Sequence, residues 1–198
     1  MKYEKKYKDI YTGKPYLHKD KKGNWTKRVG NYGNGGGWKS LLKFVKDYVN
    51  KNPGCNILDY GCGQAVHWHA NVNITVNDQK MSKTMMQYLH RNVSGFFRYD
   101  PFHPVYNKRP TGKFDCVVCT DVVEHIPKEE LPYVLQHIDD CTAHDGKVFF
   151  TIPDTESQAY FADGENMHCT LMEKEKWMWL IKKYLKKDFQ IIWKITER

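Results

Sequence analysis

Three stretches of the chain combine glycine or carboxylate with apolar neighbours in patterns that suit a nucleoside-containing ligand. In Asp59-Tyr60-Gly61-Cys62-Gly63-Gln64-Ala65, the glycines at 61 and 63 allow a tight bend and let a ligand approach the backbone closely. Asn77-Asp78-Gln79 ends an apolar run, where the Asp78 carboxylate can accept hydrogen bonds from both hydroxyls of a ribose. Tyr99-Asp100-Pro101-Phe102 ends another. There Asp100 can accept from an exocyclic adenine amine while neighbouring rings cover the base; Asp-Pro is also an ordinary turn initiator. A nicotinamide fingerprint, G-x-G-x-x-G, would need glycine at position 66, where Val66 stands.

These residues need a scaffold that brings the ends of several strands together. Short apolar runs at 56–59, 74–77, 95–99, 114–119 and 147–152 read as strands, with helical patterns at 82–92, 128–141 and 173–187 between them. A first amphipathic helix begins at Trp38, with Leu41, Leu42, Phe44, Val45, Tyr48 and Val49 on its apolar face, and Phe189, Ile191, Trp193 and Ile195 alternate as a last strand. Such alternation predicts an α/β fold: a Rossmann-like, doubly wound, mostly parallel sheet with helices on both faces. In these sheets ligands bind outside the carboxyl ends of the strands, where the three stretches fall.

The 198 residues are enough for one sizeable core. Residues 38–198 are read as that domain and residues 1–37 as a basic, Tyr- and Gly-rich extension or lid without a sustained helical or strand period. Tyr16-Leu17-His18 and Trp25-Thr26-Lys27 flank a turn at Lys22-Gly23-Asn24, the pattern of a short hairpin, and residues 33–37 form a glycine-rich connector. The net charge of +8 divides unevenly, with +10 over residues 1–52 and −2 over the remainder. Tyrosines interleaved with lysines in the basic part suit phosphate contact and base stacking, or else a solvated arm. No apolar run is long enough to span a membrane, and no apolar stretch follows the basic start, so a cytoplasmic protein is expected. The six cysteines lie mostly in apolar runs and read as reduced core residues.

No metal-ligand set stands out. Cys116 and Cys119 are three apart in a strand and face opposite ways, and His67-Trp68-His69 has no second ligand pair at zinc-like spacing. Residues 33–40 miss a phosphate-binding loop because Trp38 replaces its last glycine and no buried strand precedes it.

Ile57-Leu58-Asp59-Tyr60-Gly61-Cys62-Gly63 resembles the first motif of the class I S-adenosylmethionine-dependent methyltransferases, an apolar strand ending in Asp/Glu-x-Gly-x-Gly, with Ala65 where many members carry a third glycine. Phe114-Asp115-Cys116-Val117-Val118-Cys119-Thr120-Asp121-Val122-Val123-Glu124-His125-Ile126-Pro127 is similar to the family's fourth-strand motif, in the subgroup typified by quinone-pathway O-methyltransferases. Asp145-Gly146-Lys147-Val148-Phe149-Phe150-Thr151-Ile152-Pro153 resembles the fifth. The likeness spans residues 38–198.

The resemblance implies S-adenosylmethionine as cofactor. Asp59, Tyr60, Gly61, Cys62 and Gly63 would pass its methionine end, Asp78 and Gln79 its ribose, and Asp100 and Pro101 its adenine, with Thr120 and Asp121 along the fourth-strand tip. Tyr32 or its neighbours would close over it, hinged at 33–37. A hydroxyl acceptor needs a base, for which His125 and His168 are the candidates. A small-molecule acceptor is favoured. A nucleic-acid acceptor reached through the basic segment, RNA in particular, is the alternative, beside a non-catalytic module that binds S-adenosylmethionine or nucleic acid. The DNA-amino signature Asp/Asn-Pro-Pro-Tyr/Phe and the Pro-Cys nucleophile of cytosine methylation are both missing. Two departures from the family pattern bear on the fold. The first crossover helix is cut to about two turns, and only one C-terminal strand is clear, so either a strand is missing or the N-terminal extension supplies it.

Overall fold

The computed structural model describes residues 3–30, 38–68, 72–76, 79–89 and 92–194. The chain opens with helix α1 (Glu4–Tyr11) and the hairpin β1 (Tyr16–Lys19) and β2 (Trp25–Arg28). Helix α2 (Trp38–Lys51) leads to β3 (Cys55–Tyr60), then β4 (Val72–Val76), β5 (Gln79–Lys83), α3 (Met85–Leu89) and β6 (Val93–Tyr99). After β7 (Phe114–Thr120) come α4 (Leu131–Cys141), β8 (Thr142–Pro153), the short β9 (Ala159–Tyr160), α5 (Lys174–Tyr184) and β10 (Asp188–Lys194).

Five parallel strands form the central sheet in the order β10-β8-β7-β3-β6. The inner strands β3, β7 and β8 carry unbroken apolar centres because both faces are covered there. Leu58, Val117, Val148 and Phe150 point to one face, where α4 and α5 bring Leu135, Ile138, Trp177 and Ile181. Ile57, Cys116, Val118 and Phe149 point to the other, where α2 brings Trp38, Leu41, Leu42, Val45 and Val49. Cys116 and Cys119 thus belong to opposite faces, as their spacing requires, and all six cysteines are free. Phe44, expected on the buried face of α2, is exposed.

The expected second strand departs from the sheet. β4 pairs antiparallel with β5 in a separate two-stranded sheet, and β6 lies directly beside β3. A parallel crossover needs a dozen or more residues, and a single 3-10 turn, Val66–Trp68, is described between Gly63 and β4. The helix expected over 82–92 is cut to α3, because β5 runs to Lys83 and a reciprocal cap sets the start. The Gln87 backbone N–H donates to Thr84 Oγ1, and the Thr84 N–H donates to Gln87 Oε1.

The N-terminal segment differs most from its reading. The hairpin forms, but a helix precedes it: Tyr3, Tyr7 and Ile10 follow helical spacing and are buried, with lysines on the outer side. With Tyr16 they build a third apolar cluster against Ala159, Phe161 and Met167. β1 pairs with β9, so β2, β1 and β9 make their own antiparallel sheet, and among the described residues the extension adds no strand to the central one. The last strand, β10, runs parallel to β8.

Candidate functional site

The carboxyl ends of the central strands open into a cavity of about 400 Å³, roofed by α1. Its floor begins at the turn after β3, where Gly61 (φ +75°) and Gly63 (φ +54°) take left-handed backbone. Gly61 has a second constraint: a Cβ there would lie 2.4 Å from Val122 Cγ2. The turn is tied to the neighbouring strand, with the Gly61 and Cys62 N–H groups donating to the Tyr99 carbonyl at 2.7 and 3.0 Å. Gly63 N–H donates to Asp100 Oδ2 at 3.1 Å. The Cys62 thiol, pushed up by burial, stays protonated.

Asp100 is 6% exposed at the tip of β6. Oδ1 accepts the Phe102 and His103 N–H groups at 2.9 and 3.2 Å, and Oδ2 accepts the Tyr11 hydroxyl at 3.0 Å beside Gly63. Burial raises its pKa, and these donors oppose the rise. Asp121 follows β7 at φ +54°, an unusual conformation for a residue with a side chain. Thr151 Oγ1 donates to Asp121 Oδ1 at 2.8 Å, and Lys194 pairs with Oδ2.

At the far end, His125 and His168 stand ring to ring at 4.8 Å, above the buried Glu124. His125 Nδ1 lies 2.8 Å from the Met167 carbonyl and 2.9 Å from the Tyr7 hydroxyl. His168 Nδ1 lies 2.6 Å from the Thr155 carbonyl. Burial lowers both imidazoles, His125 to about 3, so each is neutral at ordinary pH. A third histidine, His137, receives the Arg109 Nε–H at Nε2, 2.9 Å, and meets the Tyr60 hydroxyl at Nδ1, 2.8 Å. Burial, then Arg109, lowers it too.

Tyr60, Gly61, Cys62, Gly63, Asp100, Pro101, Thr120, Asp121, His125 and His168 all line the cavity. Asp59 does not. Its carboxylate accepts Trp68 Nε1–H at 2.7 Å below the turn, where Trp68 packs on Trp38 and Phe96. Gln79 begins β5, in the hairpin outside the central sheet. Asp78 and Tyr32 lie outside the described residues. Reading the sequence missed Tyr7, Tyr11, Arg109, Tyr133, His137 and Lys194. The four-residue spacing of Tyr3, Tyr7 and Tyr11 was the available signal for the roof; nothing local marks Arg109 or Lys194.

Against protein-family models, residues 33–191 match a methyltransferase domain. The chain belongs to the methyltransferase domain family. Neither curated proteins nor solved structures gave a match. The family transfers a methyl group from S-adenosylmethionine, and the cavity suits that cofactor. The left-handed turn presents backbone without side chains at Gly61 and Gly63, and Asp100 already accepts a hydroxyl, from Tyr11, in the manner a nucleoside would use. Two ends of the methyltransferase cavity are chemically distinct: a glycine and carboxylate end at β3 and β6, and an imidazole end beyond β7. Among the described residues no helix is long and apolar enough to cross a membrane.

Proposed function

We propose that this methyltransferase acts on a small molecule, through a hydroxyl, inside the roofed cavity. The observation that carries the reading is the roof. Helix α1 sets Tyr7 and Tyr11 across the cavity and bonds both of its ends, Tyr11 to Asp100 and Tyr7 to His125. A cavity of about 400 Å³ is of small-ligand size. Residues 1–37 then serve as a lid on the domain of residues 38–198, and its closure screens the sulfonium from bulk water. The Glu124-His125 pair supports kinship with quinone-pathway O-methyltransferases, and six free cysteines support a cytoplasmic setting.

In this reading Gly61, Cys62 and Gly63 pass the methionine end of the cofactor. Asp100 and Pro101 meet its nucleoside, and Tyr60, Thr120 and Asp121 border the reacting centre. Asp78 keeps the ribose role that the family resemblance gives it, Tyr32 keeps the covering role expected of the N-terminal segment, and Gln79, in the separate hairpin, takes none. Asp59 supports the turn through Trp68. His125 and His168 face the acceptor, whose oxygen displaces the thioether in line while its proton passes to solvent.

A second reading has RNA as acceptor or simple ligand. It is favoured by the β1–β2 hairpin, where Lys19, Lys21, Lys22, Lys27 and Arg28 are exposed beside Trp25, itself 52% exposed. Incubation with methyl-labelled S-adenosylmethionine and either pooled metabolites or RNA separates the readings. Label in the metabolite pool alone is expected. Label in RNA alone refutes the small-molecule assignment, and cofactor binding without turnover in either pool indicates a binding module.

A further inference from the structure

We propose that Glu124, His125 and His168 form a binding site for one first-row divalent cation, of the zinc, manganese or cobalt type, at the imidazole end of the cavity. Glu124 sits in the 3-10 turn Val123–His125 with its side chain fully buried, and neither carboxylate oxygen has a hydrogen-bond partner. A carboxyl group taken from water without a partner is costly, so its retention there calls for a counterpart.

The two imidazoles indicate what that counterpart is. A carbonyl oxygen only accepts, so His125 Nδ1, against the Met167 carbonyl, and His168 Nδ1, against the Thr155 carbonyl, both carry their proton. Each ring therefore presents its Nε2 lone pair, and these lie 3.8 and 3.9 Å from Glu124 Oε1. Such separations are too long for hydrogen bonds, and one proton on Glu124 would serve only one of two acceptors. A cation serves three at once. The three ligand atoms lie within 4.8 Å of one another. Bonds of about 2.0–2.2 Å put tetrahedral ligands about 3.3–3.6 Å apart, so the two carboxylate–imidazole pairs would close by a few tenths of an ångström and the widest pair by about an ångström or slightly more. Nδ1–H groups anchored on carbonyls are the usual support for imidazole ligands. Two imidazoles with one carboxylate suit first-row transition ions better than magnesium or calcium, which prefer oxygen.

Three protein ligands leave coordination positions open, and His125 and His168 both line the cavity. An acceptor hydroxyl bound there would lose its proton more readily to water, and its oxygen would form the new O–CH3 bond as the C–S bond of the sulfonium breaks. That role rests on the methyl-transfer reading; occupancy by an ion does not. The sequence offered only Glu124 and His125 as neighbours, and the fold supplies His168.

The test uses the full chain after chelator treatment, titrated with Co2+ while its visible absorption is followed, with S-adenosylhomocysteine binding measured in parallel. One equivalent bound at micromolar concentration, with the intense bands of a low-coordinate site, is expected. Glu124→Gln and His168→Leu should each weaken binding by about 100-fold and leave S-adenosylhomocysteine binding in place. Glu124→Gln removes a buried unpartnered acid at constant volume, so it should fold. No protein-dependent absorption at millimolar Co2+, or equal affinity in both variants, overturns the site. If S-adenosylhomocysteine still binds in that case, the cofactor reading survives alone. Cobalt binding that both variants weaken, in a chain that binds no S-adenosylhomocysteine, upholds the site and removes the cofactor reading.

Discussion

Replacing Gly61 by alanine combines two separable penalties, and the structure gives the size of each. The residue holds φ +75°, where an L side chain costs about 1–2 kcal/mol. Its new Cβ would also lie 2.4 and 2.8 Å from the two methyls of Val122, a stiff β-branched side chain that cannot swing aside cheaply. Overpacking of this kind costs roughly 1–3 kcal/mol. The sum, about 2–5 kcal/mol, corresponds to a loss in Tm on the order of 5–15 °C for a chain of this length. Gly164 is the control: it holds φ +86°, and a Cβ there meets nothing within 4 Å, so Gly164→Ala should show the backbone penalty alone. Val122→Ala introduced with Gly61→Ala should restore the steric part, giving a favourable coupling of about 1–3 kcal/mol in a double-mutant cycle. The assay is thermal and urea unfolding of the four variants, with calorimetric titration of S-adenosylhomocysteine. Affinity should fall at least about tenfold in Gly61→Ala, because Val122 adjoins Asp121 on the cavity wall. Equal losses in Gly61→Ala and Gly164→Ala, with an additive double variant, would refute the contact between the turn and Val122.

Asp100→Asn keeps an oxygen for the Phe102 and His103 N–H groups but turns an amide toward Gly63 N–H, donor against donor. S-adenosylhomocysteine affinity should fall about tenfold or more, and unchanged affinity by calorimetry would remove Asp100 from the cofactor site. His137 gives a pH dependence. Burial, then Arg109, lowers its pKa, so the unfolded chain takes up a proton near pH ~6.5 that the folded chain refuses. Stability is therefore complete above that pH and is lost as pH falls below it. In His137→Gln the slope between pH 7 and 5 should be shallower by up to about 1.4 kcal/mol per pH unit, and urea titrations with identical slopes would refute this.

The parts legible in the sequence are those that composition and periodicity determine locally. The runs at 56–59, 114–119 and 147–152 fall inside β3, β7 and β8, and their apolar centres, Ile57-Leu58, Cys116 to Cys119 and Val148 to Phe150, are the parts that helices cover on both faces. The turn at 61–63 announces itself through glycine. Pairing is different: nothing within 74–77 says that it will pair with 79–83 and leave the place beside β3 to β6. That depends on a loop too short for a helix. Helix α1 was hidden by composition, since tyrosines among lysines look solvated until their spacing puts the rings on one face. Glu124, His125 and His168 are 43 residues apart in the longest gap, and only the return of the chain after β9 brings His168 over the turn.

That return also couples the roof to the imidazole end. The family match begins at residue 33, so α1 and the hairpin lie outside it, and they rest on their own apolar cluster with Phe161 and Met167. An element with a separate core can change without disturbing the sheet, which is where selectivity for an acceptor is best located. Tyr7 tests this. Its ring stacks on Phe102 at 5.6 Å and its hydroxyl meets His125 Nδ1. Tyr7→Phe keeps the stack and leaves the Met167 carbonyl to hold the His125 tautomer, so stability should change by no more than about 1.5 kcal/mol and cofactor release should keep its rate. Tyr7→Ala removes the ring from the third cluster, at a cost of about 3–5 kcal/mol, and loosens α1. S-adenosylhomocysteine should then dissociate at least about tenfold faster in stopped-flow measurements. If both substitutions leave dissociation unchanged, α1 is a fixed wall and the lid reading fails; if Tyr7→Phe alone accelerates it as much as Tyr7→Ala, the hydroxyl and not the ring holds the roof closed.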